Sequence, residues 1–446
     1  MRAISGFFVR VFEFAIPDPY VFAVLLTLLT ALLALIFAPH RAPIDVASSW
    51  YKGIFDIFEF ALQMILILVT GYALASSAPV RRGLLWLAGR PTTTRAAVSL
   101  TFLVSAVACW LNWGFGLVVA GLLSRAIAQR MRIDFGWLVA AAYCGFLIWA
   151  SGLSSSIALA QATPGSKLNI VQSLTGVVLP LSRTIFTPFN LVPVVVLLIV
   201  IPFIFMAFEP RGNDVIAAQL PPHDSEVTIS VERKTRPTLG SALDNAWILN
   251  LAIVVAGAYY LISNWITAGF SLPIQSVIFI FFLLGLLLHW TPVAYVRAIN
   301  EAARVTGPLL IQYPLYGGIM GMMTGTGLAG VIAQWFVAFS TAATLPFWSY
   351  LSSIVISLFV PSGGGHWAVQ GPFVVPAAAK LGASQAATAI GVAVGEEVAN
   401  MIQPFWCLPV LAIAGIGLRR VMAFTAMVFF VAFAVFGLSL LFLIPR

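Results

Sequence analysis

Two adjacent carboxylates, Glu396 and Glu397, stand inside a long apolar stretch, a few residues before Asn400 and Gln403. Upstream, the run Pro361-Ser362-Gly363-Gly364-Gly365-His366-Trp367 interrupts another such stretch. The first half of the chain has two comparable interruptions, Leu111 through Gly116 (LNWGFG) and Ala150 through Ser156 (ASGLSSS). These residue types suit non-covalent recognition of a small anion. Wherever a helix restarts after a break, its unpaired N–H groups form a partial positive end that stabilises a carboxylate. Asn112, Ser154, Ser155, Ser156, Ser362 and Gln403 add neutral donors, and Gly114, Gly363 and Gly364 let a ligand approach the backbone closely. Carbonyls released at the same breaks, together with Asn112 or Asn400, offer the oxygen ligands that a hard cation such as Na+ takes.

The two glutamates are the costliest residues to place. A charge at the centre of a membrane helix costs about 2.5–3.5 kcal/mol, so such a group faces a cavity, pairs, or binds a proton or cation. At least one of Glu396 and Glu397 is expected to couple a cation or proton to substrate movement, with the other reaching solvent. His366 could donate to a carboxylate, titrate, or simply make the tip polar. The bland account of the Ser and Gly residues is close packing of membrane helices; the mirrored positions of PSGGG and SGLSSS argue against it.

The elements that must carry these residues follow from composition. The 446 residues are 61% hydrophobic and only 9% charged, with a mean hydropathy of +1.01. A soluble chain of this length could not cover its exterior with so few polar groups. Lipid is therefore the solvent for most of the chain. The formal charge of +8 is dispersed among short loops, which is the pattern of cytoplasmic loop anchoring rather than nucleic-acid binding. Cys109, Cys144 and Cys407 lie within apolar stretches and read as small buried hydrophobes. Arg2 and Arg10 precede an apolar run from Tyr20 to Phe37 with no cleavage site behind it, which reads as a retained first span.

Spans of about 20 apolar residues are expected at 20–38, 55–78, 190–208, 246–263, 274–290, 306–330 and 421–443. Regions 96–128, 135–163 and 346–418 are apolar but interrupted. With a cytoplasmic N-terminus, Arg81, Arg82, Arg90 and Arg95 return to the cytoplasm after the second span, and Arg125, Arg130 and Arg132 follow the next apolar stretch directly. A single crossing between those clusters would put one of them outside, against the orientation rule. A re-entrant hairpin over about 96–128, its tip at Leu111–Gly116, satisfies both. The Pro361–Trp367 run makes the tip of a second hairpin at about 346–380, entering from the opposite face. Each hairpin precedes a polar break in a spanning helix, at about 135–163 and about 385–418. The spacing agrees: 35 residues separate Gly116 from Ser151, and the same number separates Gly365 from Asn400. The expected fold is an all-α polytopic membrane protein of two inverted repeats, each with a re-entrant hairpin and a broken transmembrane helix. The first repeat covers 1–208, a cytoplasmic linker 209–245, and an extra span plus the second repeat 246–446.

The segments Asn112 through Leu117, Ala141-Ala142-Tyr143, Gly152-Leu153-Ser154, Pro361 through Pro372 and Asn400 through Pro409 resemble the bacterial short-chain fatty acid transporter family, of the acetoacetate and butyrate permease type, within the wider ion transporter superfamily. The resemblance runs over essentially the whole chain. It implies uptake of short-chain fatty acids across the bacterial inner membrane, and a homodimer whose protomers each combine a scaffold with an elevator-like transport domain. Asn112, Ser362, Ser154, Asn400, Gln403 and Glu396 match positions of the family pattern, whereas Glu397 falls at a variable one. His366, Ser155 and Ala150 replace a usual Gln, Gly and His, which bears on the preferred acid.

The expected activity is cation-coupled import of a short-chain carboxylate by alternating access, with Na+ or H+ as coupling ion and no cofactor. Coupling has an energetic reason, because moving one negative charge inward against about 100 mV costs about 2.3 kcal/mol. Three alternatives are carried forward: a transporter of another small carboxylate, a channel, and an intramembrane hydrolase using Ser362 or Ser154 with His366 as base.

Overall fold

The computed structural model describes residues 19–210, 215–217, 238–304, 306–358, 360–403 and 405–445. Arg2, Arg10, Pro221-Pro222, Arg233 to Arg236 and Pro404 lie outside the described residues. All regular structure among the described residues is helical.

The chain opens with α1 (Pro19–Phe37), α2 (Pro43–Asp56), α3 (Phe58–Ser76) and α4 (Ala78–Ala88). Only α1 and α3 were expected as spans. Helix α2 is amphipathic, with Asp45, Lys52 and Asp56 among its apolar residues, so no apolar run announces it. Its partner is α15 (Gly307–Gly325). Glycines 317, 321 and 325 recur every fourth residue on that helix; at the first two the backbones come into close contact, and at Gly325 the Ser49 side chain fills the gap. A Cβ on Gly53 would lie 2.3 Å from the Gly317 carbonyl oxygen, and one on Gly321 would lie 2.3 Å from that of Ser49. Small residues at this spacing hold membrane helices together by dispersion at close range.

The segment 306–330 is not a single straight span. Helix α15 bends by 77° into α16 (Leu328–Phe339), pivoting at Gly327, whose φ of +80° suits glycine. Between the two halves of the chain come α11 (Leu239–Asp244), α12 (Trp247–Ala268), α13 (Ile274–His289) and α14 (Pro292–Ala303).

Two pairs of helices fold back on themselves. Helices α5 (Thr94–Leu111) and α6 (Trp113–Ala128) are separated only by Asn112, and a Cβ on Gly116 would meet Cys109 Sγ at 2.2 Å. Helices α17 (Leu345–Ser357) and α18 (Gly363–Leu381) run antiparallel, since Gln370 donates to the Ser349 carbonyl at 2.8 Å while His366 lies against Ser353 at 3.2 Å. The tip residues share one backbone shape: Asn112 has φ −155°, ψ 122° and Ser362 has φ −154°, ψ 116°.

Each hairpin is followed by an interrupted helix. Helix α7 (Phe135–Cys144) passes through a short 3-10 turn, Gly145–Ile148, and the chain restarts as α8 (Ser156–Ala162). Helix α19 (Gln385–Ala399) stops at Asn400, and α20 (Cys407–Ala414) follows. The remaining long helices are α10 (Pro188–Ala207) and α21 (Leu418–Phe442), with a short α9 (Ile170–Thr175) after α8. Asp134 caps α7 by accepting the Trp137 amide at 2.9 Å and pairs with Arg420 at the start of α21.

Candidate functional site

All the interruptions converge. The first tip meets the first break where the Trp113 amide donates to Ser154 Oγ at 2.9 Å. The first break meets the second through three groups. Trp149 Nε1 donates to Asn400 Oδ1 at 3.0 Å, and the Ala150 and Ser151 amides donate to Glu397 Oε2 at 2.8 and 3.1 Å. The second break reaches the second tip where Trp406 Nε1 donates to the Pro361 carbonyl at 2.8 Å. Finally, Gly363 of the second tip lies against the first break, where a Cβ would sit 2.5 Å from Trp149 and 3.1 Å from Ser156. Asn112, Ser154, Ser155, Ser156, Ser362, His366, Asn400 and Gln403 are all buried.

At the centre lies a narrow cavity of about 10 Å³, lined by Trp113, Phe146, Trp149, Ser156, Tyr313, Ser362, Gly363 and Trp406. That is room for about one water molecule, far below the roughly 300–1,000 Å³ of drug-sized ligand pockets, so a ligand here needs the surrounding elements to part. One side is polar, with Ser156, Ser362 and the Tyr313 hydroxyl; Ser362 Oγ donates to that hydroxyl at 2.9 Å. The other side is aromatic. Trp113 and Trp406 pack edge to face with centroids 5.1 Å apart, and Phe146 stacks on Trp149 at 5.7 Å.

The helix starts around this centre differ in what they have left to offer. Asn112 Oδ1 caps α6 through the Phe115 amide at 2.9 Å, and its Nδ2 donates to the Ile67 carbonyl at 3.3 Å. Ser155 caps α8 through the Ala158 amide at 3.3 Å. Glu397 takes the amides of the first break, as well as the Ser151 hydroxyl at 2.9 Å. A carboxylate of the protein thus occupies the amides that a substrate carboxylate would otherwise use. Two starts lack such a cap: α18, where Ser362 turns its hydroxyl to Tyr313, and α20, which follows Trp406; of these, only α18 begins with a small polar residue and a glycine lining the cavity.

The glycines divide likewise. Gly363 lines the cavity. Gly364 and Gly365 are filled by protein, since Cβ atoms there would lie 2.1 Å from the Phe60 ring and 2.3 Å from Tyr316. Gly114 packs on the Leu68 backbone, from which a Cβ would lie only 2.9 Å. His366 sits between the arms of its own hairpin, with Nε2 2.6 Å from Gln370 Oε1, and does not contact the Ser362 hydroxyl.

The glutamates are opposites. Both are fully buried, yet Glu397 accepts three hydrogen bonds while neither oxygen of Glu396 has a partner. One turn on from Glu396, Asn400 Nδ2 is also without a partner, and so is Gln403 Oε1. A buried polar group left unpaired costs about 1–3 kcal/mol, a cost that a bound proton, cation or polar ligand would offset. Asn112 and Asn400 each have their amide oxygen engaged by the protein; a Na+ at either would share that oxygen. Among the described residues no set of three His, Cys, Asp or Glu side chains could hold a metal ion.

Sequence reasoning missed Tyr313, Phe60, Ser151 and the aromatic walls. The walls had a signal: Trp149 immediately precedes the first polar break and Phe405-Trp406 closes the second. Tyr313 and Phe60 had none, because they arrive from elements remote in the chain.

A helical chain with breaks buried around a small cavity has the fold of a multi-pass membrane transporter. It superposes on the YdaH transporter of Alcanivorax borkumensis with a TM-score of 0.59 at 16% identity, covering 95% of this chain and 98% of that one. It also superposes on MtrF of Neisseria gonorrhoeae, described among a class of antimetabolite efflux pumps, with a TM-score of 0.52 at 17% identity and 97% of each chain covered. At such identities the likeness is one of fold alone.

The chain belongs to the short-chain fatty acid transporter family, whose profile matches residues 1–443. It is 42% identical over 442 residues to an Escherichia coli K12 protein provisionally named a short-chain fatty acid transporter, covering 98% of this chain and 99% of that one. A Haemophilus influenzae protein with the same provisional name is 37% identical over 432 residues, 96% of either chain. The family and these relatives are transporters, so the intramembrane hydrolase is set aside.

Proposed function

We propose that this protein is a secondary carrier importing short-chain carboxylates of the acetate, butyrate and acetoacetate class, coupled to Na+ or H+. The observation that carries this reading is the second tip: an uncapped helix start whose Ser362 and Gly363, with Ser156, line a small cavity of otherwise aromatic walls. The substrate carboxylate lies at Ser362, Ser156 and the first-turn amides of α18, where the helix dipole stabilises it, and the alkyl chain lies among the aromatic rings. Asn112, Ser154 and Ser155 shape the site by holding the first tip and first break.

Glu396 is the coupling group, with Asn400 and Gln403 beside it, because its oxygens are committed to nothing else. Glu397 holds the two breaks together. Movement is of the elevator type: the hairpins and broken helices, related as inverted repeats, form a transport domain that shifts against a scaffold. Phe60 of α3 and Tyr316 of α15 are scaffold residues closing over Gly364 and Gly365. The protein is a homodimer in the bacterial inner membrane with a cytoplasmic N-terminus.

Uptake of labelled butyrate into proteoliposomes, with Na+ and pH gradients imposed separately, tests this. A carrier accumulates the acid unchanged, saturates and shows counterflow. Flux without saturation or counterflow would make the protein a channel.

A further inference from the structure

Of the cavity walls, Phe146 has no polar atom and no hydrogen-bonding duty. Trp149 and Trp406 are tied by their indole N–H groups to Asn400 and to the Pro361 carbonyl. Both also touch the second tip, Trp149 against Gly363 and Trp406 at Pro361. Phe146 packs behind the two of them, its ring centroid 5.7 Å from that of Trp149 and 6.1 Å from that of Trp406. Behind it in turn stacks Tyr143, at 5.9 Å. Phe146 is 1% exposed and rides on a 3-10 turn, Gly145–Ile148, not on a regular helix. Gly145 anchors that turn, because a Cβ there would meet the Ala106 amide nitrogen at 2.6 Å. The ring therefore has a rigid support on one side and the cavity on the other.

We infer that Phe146 is the chain-length gauge of this transporter: its ring ends the apolar part of the cavity and sets how many methylenes an acid can carry. This rests on the carboxylate reading above and deepens it. An acid anchored by its carboxylate at Ser362 projects its alkyl chain away from the tip, between the rings of Trp149 and Trp406. The chain stops at Phe146. Each methylene that finds apolar room is worth about fourfold in affinity, whereas one forced against a close-packed ring gains nothing and is excluded. Replacing the ring by a methyl group opens room for several methylenes at the far end without touching a polar contact.

The test is uptake of acetate, butyrate and hexanoate by full-length protein in proteoliposomes, for wild type, Phe146→Ala and Phe146→Leu. Quenching of the cavity tryptophans by each acid, in detergent, gives a readout independent of transport. Wild type should favour the shorter acids. Phe146→Ala should raise the hexanoate-to-butyrate ratio roughly fifteenfold in both measurements, from about fourfold per methylene over two methylenes. Phe146→Leu, which keeps the site filled and guards against misfolding of the alanine variant, should fall between. Wild-type butyrate uptake with an unchanged ratio in a monodisperse Phe146→Ala or Phe146→Leu protein overturns the gauge and leaves the carboxylate reading intact. If wild type takes up and binds none of the acids, both fall together.

Discussion

The carboxylate of Glu397 receives the backbone amide of Ala150 at 2.8 Å, across a sequence separation of 247 residues. With the Ser151 amide and hydroxyl on the same carboxylate, this one side chain joins the interrupted helix of the first half to that of the second. Its oxygens take the free amides of a helix break, with the protein as its own ligand.

Removing that strut should be felt mainly as lost stability. In Glu397→Ala the amides of Ala150 and Ser151 lose their acceptor in a dry environment, and the expected cost is about 3 kcal/mol. Glu397→Gln keeps one acceptor oxygen and should lose less. Thermal-shift midpoints in detergent measure this; an alanine variant that melts with wild type would remove the structural role.

The neighbouring residue should behave in the opposite way. Neither Glu396 oxygen has a hydrogen bond to lose, so Glu396→Gln should leave expression and melting close to wild type while abolishing the dependence of uptake on the driving ion. Gradient-driven uptake with Na+ and H+ varied one at a time reads this out. Unchanged ion dependence in the variant takes Glu396 out of the coupling step.

The two tips should also separate. Ser362→Ala loses one bond to Tyr313, worth about 1 kcal/mol, so the folded protein should persist while butyrate affinity falls at least tenfold. Asn112→Ala removes a cap as well as the bond to Ile67. Loss of the cap alone costs about 0.5–2 kcal/mol, so both stability and uptake should drop. Melting and saturation curves on the same preparations distinguish the two; normal affinity in Ser362→Ala would move the site elsewhere.

Closure over the second tip rests on the contact between Gly364 and Phe60. Gly364→Ala places a methyl group 2.1 Å from that ring, and overpacking of this kind costs about 1–3 kcal/mol. Uptake should fall sharply. Phe60→Leu in the same chain should restore part of it, because contacting residues are not additive. Additive losses in the double variant would show that the contact is incidental.

Much of the architecture was legible. Pro361 marks the second tip because it cannot continue a helix without large loss, whereas Gly363 to Gly365 form the first turn of α18; Asn112 between apolar runs marks the first tip with a cap. The basic clusters at Arg81–Arg95 and Arg125–Arg132 made a fold-back of the intervening stretch the economical reading. Helix α2 was not legible, because its polar residues hide the apolar face and its interface consists of Gly53 against Gly317 and Gly321, where no side chain advertises a partner. The bend near Gly327 was hidden for a related reason: hydropathy runs on unbroken while only the backbone turns.

The amino-acid sequence by itself determined that the chain lives in lipid, where its four central interruptions fall, and which family it joins. These follow from local properties: hydropathy, backbone freedom and short motifs. Only the tertiary structure decided what each interruption faces. Successive side chains on a helix point about 100° apart, so Glu396 and Glu397, identical and adjacent, look out on different neighbours. One meets amides contributed from the other half of the chain, and the other meets no partner. Residues so remote in sequence become neighbours only through packing, and no local pattern encodes that meeting.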